Sequence, residues 1–183
     1  MFKKHSLRNM MARAYFWSAQ SPDPSSQNGA IVCNRNDDGN LIPLQNGWNH
    51  FYEGIEPELE DRDEKLLRIE HAERDVIYKC AQNGHKTYGG VLVTPWAACC
   101  ECARAIIGSG IQCVVVHGDR MDLTPERWKP QVDKALGWLE EALMVHVIRG
   151  PIIQQNINRV TERQLEPILI SGKLWSPETC DYV

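Results

Sequence analysis

Along the first twenty positions, Leu7, Met10, Met11, Ala14 and Tyr15 recur at the spacing of a helix with one buried face. This predicts a helix over about residues 4–19 with a basic outer face. An amphipathic presequence, basic and free of acids, reads on the same residues; the helix of a fold is preferred because the chain runs straight on into a distinctive loop. That loop, residues 21–27 (SPDPSSQ), is dense in turn formers, and an apolar stretch follows Gly29. Residues 36–40, rich in Asn, Asp and Gly, separate two strand candidates, so 30–35 and 41–45 are expected to form a hairpin. The acidic segment after Tyr52 reads as a solvated loop.

From about 63 to 83 the apolar positions Leu66, Leu67, Ile69, Ala72, Val76, Ile77 and Cys80 support helix, with a break in the pattern just before His71 and a stop at Gly84. Residues 91–94 read as a short buried strand. A helix over 103–107 starts from a cysteine cluster and stops at Gly108 and Gly110, and 113–117 (CVVVH) is a wholly apolar strand. Thr124 followed by Pro125 looks like an N-cap and first helical position, opening a helix to about 143. Residues 145–148 give a fifth strand. Past Pro151 the pattern weakens, with a short helix expected over 161–169. Strands alternating with helices after residue 70 predict an α/β fold, a three-layer α/β/α sandwich on a mixed sheet of about five strands. No internal repeat or low-complexity segment interrupts it.

Composition narrows the setting. The chain has 183 residues, 43% hydrophobic and 24% charged, enough to bury a core without disulfide staples. No apolar run approaches the roughly 20 residues of a membrane span, and the N-terminus lacks the apolar core of a secretory signal. Seven cysteines, an odd number, then suggest reduced thiols, metal ligation or catalysis in a reducing, cytoplasmic compartment. The net charge is −4, and residues 53–64 carry seven acids against one Arg. No broad basic face remains for a long polyanion.

Two clusters stand out, His71-Ala72-Glu73 and Cys99-Cys100-Glu101-Cys102, each at an expected helix start. Taken singly, the first is more often a satisfied polar residue and the second a redox pair or buried thiols. Together they supply one imidazole and two thiolates, which the positive end of a helix favours. Three protein ligands leave a fourth position for water, as catalytic zinc does and closed structural zinc does not. Glu73, two residues past the histidine, is placed to shuttle protons. Cys100 reads as a small apolar residue, and Cys33, Cys80 and Cys113 as core thiols; His50 beside Asn49 is a loop histidine with no assigned partner.

An H-A-E followed about 26 residues later by C-x-x-C matches the signature of zinc-dependent nucleobase deaminases. Over about residues 10–118 the chain resembles the cytidine and deoxycytidylate deaminase superfamily, and its deoxycytidylate branch most. The resemblance also rests on residues 21–27 with Gly29-Ala30, on Gly47-Trp48-Asn49, on Thr94-Pro95-Trp96, and on residues 102–107 as the continuing helix. Ala98 replaces a usual Pro, Asp75 a common Asn, and Asn28 a frequent Val. These departures leave the metal triad intact and bear on base and sugar specificity.

The resemblance implies a cytidine deaminase-like domain over residues 1–150, with 151–183 an extension packed on it or on a neighbouring subunit. It implies zinc (Zn2+) on His71, Cys99 and Cys102, and Glu73 as the catalytic acid and base. Asn49 would hydrogen-bond the sugar, the backbone at Ala72 would read the pyrimidine edge, and Ser26 and Asn28 lie in the loop expected near the phosphate. The implied reaction is hydrolysis of dCMP to dUMP and ammonia. Alternatives are dCTP, a modified dCMP or a free nucleoside as substrate, a tRNA or polynucleotide deaminase, and a non-catalytic zinc module. Homo-oligomers, hexamers among them, and regulation by dCTP and dTTP with Mg2+ accompany the nucleotide branch.

Overall fold

The structure is a computed structural model that describes residues 1–152, 168–170 and 173–175. Helix α1 (Lys4–Ser18) leads through the 21–28 loop into strands β1 (Gly29–Arg35) and β2 (Leu41–Trp48). Then come α2 (Arg62–Arg68), α3 (Ala72–Gln82), β3 (Val91–Thr94), α4 (Cys100–Gly108) and β4 (Cys113–His117). The short α5 (Gly118–Met121), α6 (Lys129–Ala142) and β5 (Met144–Ile148) complete the main body. A separate antiparallel pair, β6 (Ile168–Ile170) and β7 (Lys173–Trp175), follows.

The sheet has the order β2-β1-β3-β4-β5, antiparallel across β2, β1 and β3 and parallel from β3 to β5. It is therefore mixed, as expected. Alternate residues of the central strands face opposite layers. Ile31, Cys33, Val93 and Val115 meet Leu7, Met11 and Tyr15 of α1, whereas Val32, Leu92, Val114 and Val116 meet Val76 of α3, Ile106 of α4 and Leu139 of α6. These are the three layers of the predicted sandwich. Pro43 lies on edge strand β2 beside a register shift at Val32/Cys33, where a missing N–H costs the sheet least. Among the described residues no helix is long and apolar enough to cross a membrane.

Helix formation breaks before His71, as the pattern suggested. Ile69 turns extended, and His50 and Glu70 pair through both backbone bonds, at 3.1 and 2.8 Å. The resulting turn re-aims the chain so that α3 begins afresh at the histidine. The acidic stretch is exposed loop only as far as Asp61, whose carboxylate caps α2 by accepting from the N–H groups of Asp63 and Glu64.

Two expectations are corrected. Thr124 is not an N-cap: its N–H closes a turn on the Met121 carbonyl, and α6 starts at Lys129 with Pro130 in the first turn. Residues 125–128 instead form a turn on the carbonyl of Pro125. The short helix expected to end at Leu169 gives way at its C-terminal end to β6, where Leu169 pairs with Leu174; the remainder of that segment lies outside the described residues.

Candidate active site

Two helix starts converge on the carboxyl side of β3. His71 is the N-cap of α3 and Cys99 the N-cap of α4, and neither side chain caps its own helix. Both are thus free to face a ligand. His71 Nδ1 lies 3.6 Å from Cys99 Sγ and 3.5 Å from Cys102 Sγ. Zinc bonds of about 2.3 Å to sulfur and 2.0–2.1 Å to nitrogen at the tetrahedral angle put such donors about 3.6 Å apart, so the set fits a zinc-sized ion. The nitrogen and sulfur chemistry disfavours Mg2+ or Ca2+, which select oxygen. Among the described residues this is the group of His, Cys, Asp or Glu able to hold a metal.

Electrostatics match the geometry. A hydrogen bond from Cys102 and the nearby His71 pull the Cys99 thiol down to about 3 against the effect of burial. The same sharing holds the Cys102 thiol well above its usual value, and burial adds to it. Burial pushes Glu73 up to about 7, with His71 opposing. A carboxyl near neutrality both accepts and donates protons. Its Oε2 accepts from Cys102 Sγ at 3.8 Å, beside the donor set. Behind the site Glu70 Oε1 accepts from the His71 N–H at 2.8 Å and from Arg74 Nε at 2.6 Å, fixing the turn that carries the histidine.

A cleft of about 700 Å³, including its open mouth, leads to these groups. Its lining, apolar surface with a few polar groups, is that of a small-molecule site. His71, Glu73 and Cys99 stand at one part of its wall, and Leu66, Ile69, Trp96, Trp128 and Val132 provide flat apolar surface. The polar remainder comes from Asp23, Ser25, Ser26, Asn28, Asn49 and Thr124. Among the described residues no Lys or Arg lines it. The walls after β3 and β4 are the loops at the carboxyl ends of parallel strands, the usual place for a site in an α/β sheet.

Six of the eight residues singled out from sequence line this cleft: Ser26, Asn28, Asn49, His71, Glu73 and Cys99. Cys102 sits behind it as the third donor, and Ala72 is held in the structure of α3. The Ala72 N–H donates to Asn49 Oδ1 at 2.8 Å, while Asn49 Nδ2 donates to the Ser26 carbonyl at 2.6 Å. Asn49 thereby ties the 21–28 loop to the start of α3. Asn28 Nδ2 reaches Thr94 Oγ1 at 3.2 Å. Gly47 is required here, because a Cβ would meet Asp75 Oδ2 and the Val76 nitrogen at 2.7 Å. Asp75 in turn accepts from the Trp48 N–H at 3.1 Å and from Lys79 at 2.7 Å. Cys100 points at α6, its Sγ 3.4 Å from the Gln131 carbonyl, and takes no part in the donor set.

Sequence reasoning missed Lys65 and Thr124. Lys65 Nζ reaches Asp23 Oδ1 at 3.1 Å and Ser25 Oγ at 2.7 Å, a contact with no local signature. Thr124 carried a signal, but for a helix cap.

A His-Cys-Cys group able to hold a metal, with a near-neutral carboxyl beside it in the wall of an open cleft, is a donor set suited to activating water in a hydrolysis. The profile of the cytidine and deoxycytidylate deaminase zinc-binding region matches residues 4–118. The chain belongs to that family of deaminases. Among solved structures it is similar to the dCMP deaminase of cyanophage S-TIM5 in complex with dCMP and dUMP, with a TM-score of 0.63 and 21% identity over 81% of this chain and 100% of that one. The apo form of the same enzyme gives 0.59 and 19%, over 80% and 100%. The bifunctional diaminohydroxyphosphoribosylaminopyrimidine deaminase/reductase of Thermotoga maritima gives 0.50 and 22%, over 86% of this chain and 40% of that one. At these identities the likenesses establish the cytidine deaminase-like fold. No curated protein matches the chain significantly.

Proposed function

We propose that this enzyme is a zinc-dependent deaminase converting dCMP and water to dUMP and ammonia. The observation that carries the reading is the His71–Cys99–Cys102 donor set with Glu73 beside it. The similarity to a structure that holds dCMP and dUMP favours a deoxycytidine nucleotide among the candidate substrates.

In this reading His71, Cys99 and Cys102 hold zinc. When bound there, the ion supplies Lewis-acid activation of water near neutral pH. Glu73 takes the proton of the attacking water, passes it to N3 of the cytosine, and delivers a proton to the amine leaving C4. Burial near neutral pKa lets one carboxyl do both. Trp96, Trp128 and Leu66 exclude water from the ring. Asn49 keeps one N–H and one lone pair beyond its two internal bonds, enough to meet the sugar.

The phosphate belongs beside the hydroxyls of Ser25 and Ser26 in the 21–28 loop, which Lys65, paired with Asp23, holds from behind. Residues 1–150 are the catalytic domain and 151–183 its extension. A cytoplasmic homo-oligomer regulated by dCTP and dTTP is the assembly that goes with this branch of the family.

Ammonia release from dCMP, dCTP, CMP, deoxycytidine and a cytosine oligonucleotide by one zinc-loaded preparation tests the reading. dCMP should show a kcat/KM at least about tenfold above deoxycytidine. Equal rates would remove the phosphate contact, and a preference for dCTP or the oligonucleotide would replace the substrate.

A further inference from the structure

Thr124 is an anomaly of the cleft. It lies in the turn between α5 and α6 and is only 7% exposed. Its Oγ1 is buried without a hydrogen-bond partner. Its N–H is engaged by the Met121 carbonyl at 2.9 Å, so the residue is fixed while its hydroxyl is left idle. Leaving a buried hydroxyl unpaired is costly to a fold, and such groups mark places where something else completes the bond. A valine there would fill the same space without that cost.

The residue also lines the cleft, as do its neighbour Pro125 and the rings of Trp96 and Trp128. That neighbourhood selects the kind of partner. Among the described residues no Lys or Arg lines the cleft; the buried Arg120 guanidinium is stacked on the Trp96 ring at 4.0 Å, and the buried Lys65 ammonium is paired with Asp23. A phosphate dianion desolvated against Thr124 and its apolar neighbours would meet ring faces rather than a cation lining the cleft. A neutral oxygen or nitrogen of the pyrimidine or sugar suits a single hydroxyl, which both donates and accepts.

We propose that Thr124 is a substrate-binding residue whose hydroxyl hydrogen-bonds a neutral polar atom of the deoxycytidine moiety. The assignment rests on the nucleotide reading above and adds a specificity determinant to it. The turn after α5 departs from a capped helix start so that this hydroxyl faces substrate. Because the contact is to the part that dCMP and deoxycytidine share, Thr124 strengthens binding of both and leaves their ratio unchanged.

The test is calorimetric titration of dCMP and of deoxycytidine into zinc-loaded protein in the Glu73→Gln background, where turnover is stopped, together with the melting temperature without ligand. Thr124→Val should weaken both ligands by about five- to tenfold, the loss of one hydrogen bond. It should leave the ligand-free melting temperature unchanged or raised. Thr124→Ser should bind within about twofold of the parent. Unaltered binding in Thr124→Val, a loss confined to dCMP, or a lower melting temperature in that variant would each overturn the assignment. If neither ligand binds the parent protein, the nucleotide reading fails together with this one; if the parent binds and Thr124→Val binds equally well, only the role of Thr124 fails.

Discussion

Lys65 Nζ stands 3.1 Å from Asp23 Oδ1 with both side chains buried, joining α2 to the loop that walls the cleft. Ser25 completes the arrangement: its Oγ accepts from the ammonium at 2.7 Å and donates to the same carboxylate oxygen at 2.8 Å. Removing one partner of a buried ion pair strands the other charge. Lys65→Met should therefore destabilise the protein by on the order of 3 kcal/mol. Chemical denaturation measures the loss, and Lys65→Met with Asp23→Leu should recover much of it. Full stability in the single variant would mean that the pair does not hold the loop.

Asn49 links the Ser26 carbonyl to the Ala72 N–H. Asn49→Ala should keep its metal, lose about 1–2 kcal/mol of stability and raise KM for dCMP. Metal analysis, denaturation and steady-state kinetics on one preparation separate these effects. Loss of metal would show that the residue supports the donor set rather than the substrate.

The metal assignment predicts one zinc per chain. Alanine at His71, Cys99 or Cys102 should reduce the zinc content sharply, whereas Cys100→Ala should keep it, because that thiol faces the Gln131 carbonyl. Elemental analysis decides. A zinc-free Cys100→Ala protein beside a zinc-replete Cys99→Ala protein would put the donor set in the wrong register.

His117 gives a pH dependence independent of the metal. Burial holds its pKa below the ordinary histidine value, against the Gly150 carbonyl and Asp119, which raise it; Arg8 and Arg120 lower it further. Tyr15 Oη lies 2.6 Å from Nδ1, an arrangement that suits a neutral ring accepting the phenol proton. The folded protein thus binds fewer protons here than the unfolded chain. This contribution is fully present above about pH 6.5 and declines as pH falls below that value. Denaturation between pH 5 and 7 should show the decline in the parent and a flatter curve in His117→Gln. Parallel curves would assign the slope elsewhere.

The donor set and Glu73 were legible in sequence because each half is local: two short clusters at helix starts bring their own geometry. The strands of the main sheet were legible too, β3 and β4 from continuous apolar runs and β1 with β2 from the Asn-Asp-Gly turn between them, whereas β6 and β7 were not. Lys65 was not, because its meaning depends on Asp23, 42 residues away, and nothing in its own helix marks a buried ammonium. Thr124 misled because Thr-Pro satisfies the local rule for a helix start, while the Met121 carbonyl takes its N–H and the helix is deferred to Lys129. Local chemistry proposed a cap there and tertiary context made a wall of the cleft.

The central claim is that Glu73 moves the protons of a zinc-dependent hydrolysis. Ammonia release from dCMP by zinc-loaded parent and zinc-loaded Glu73→Gln protein, at matched metal content, tests it most directly. The account predicts a fall in kcat of at least about 10²–10⁴ with zinc and fold retained. Near-parental turnover in the zinc-loaded variant would contradict it.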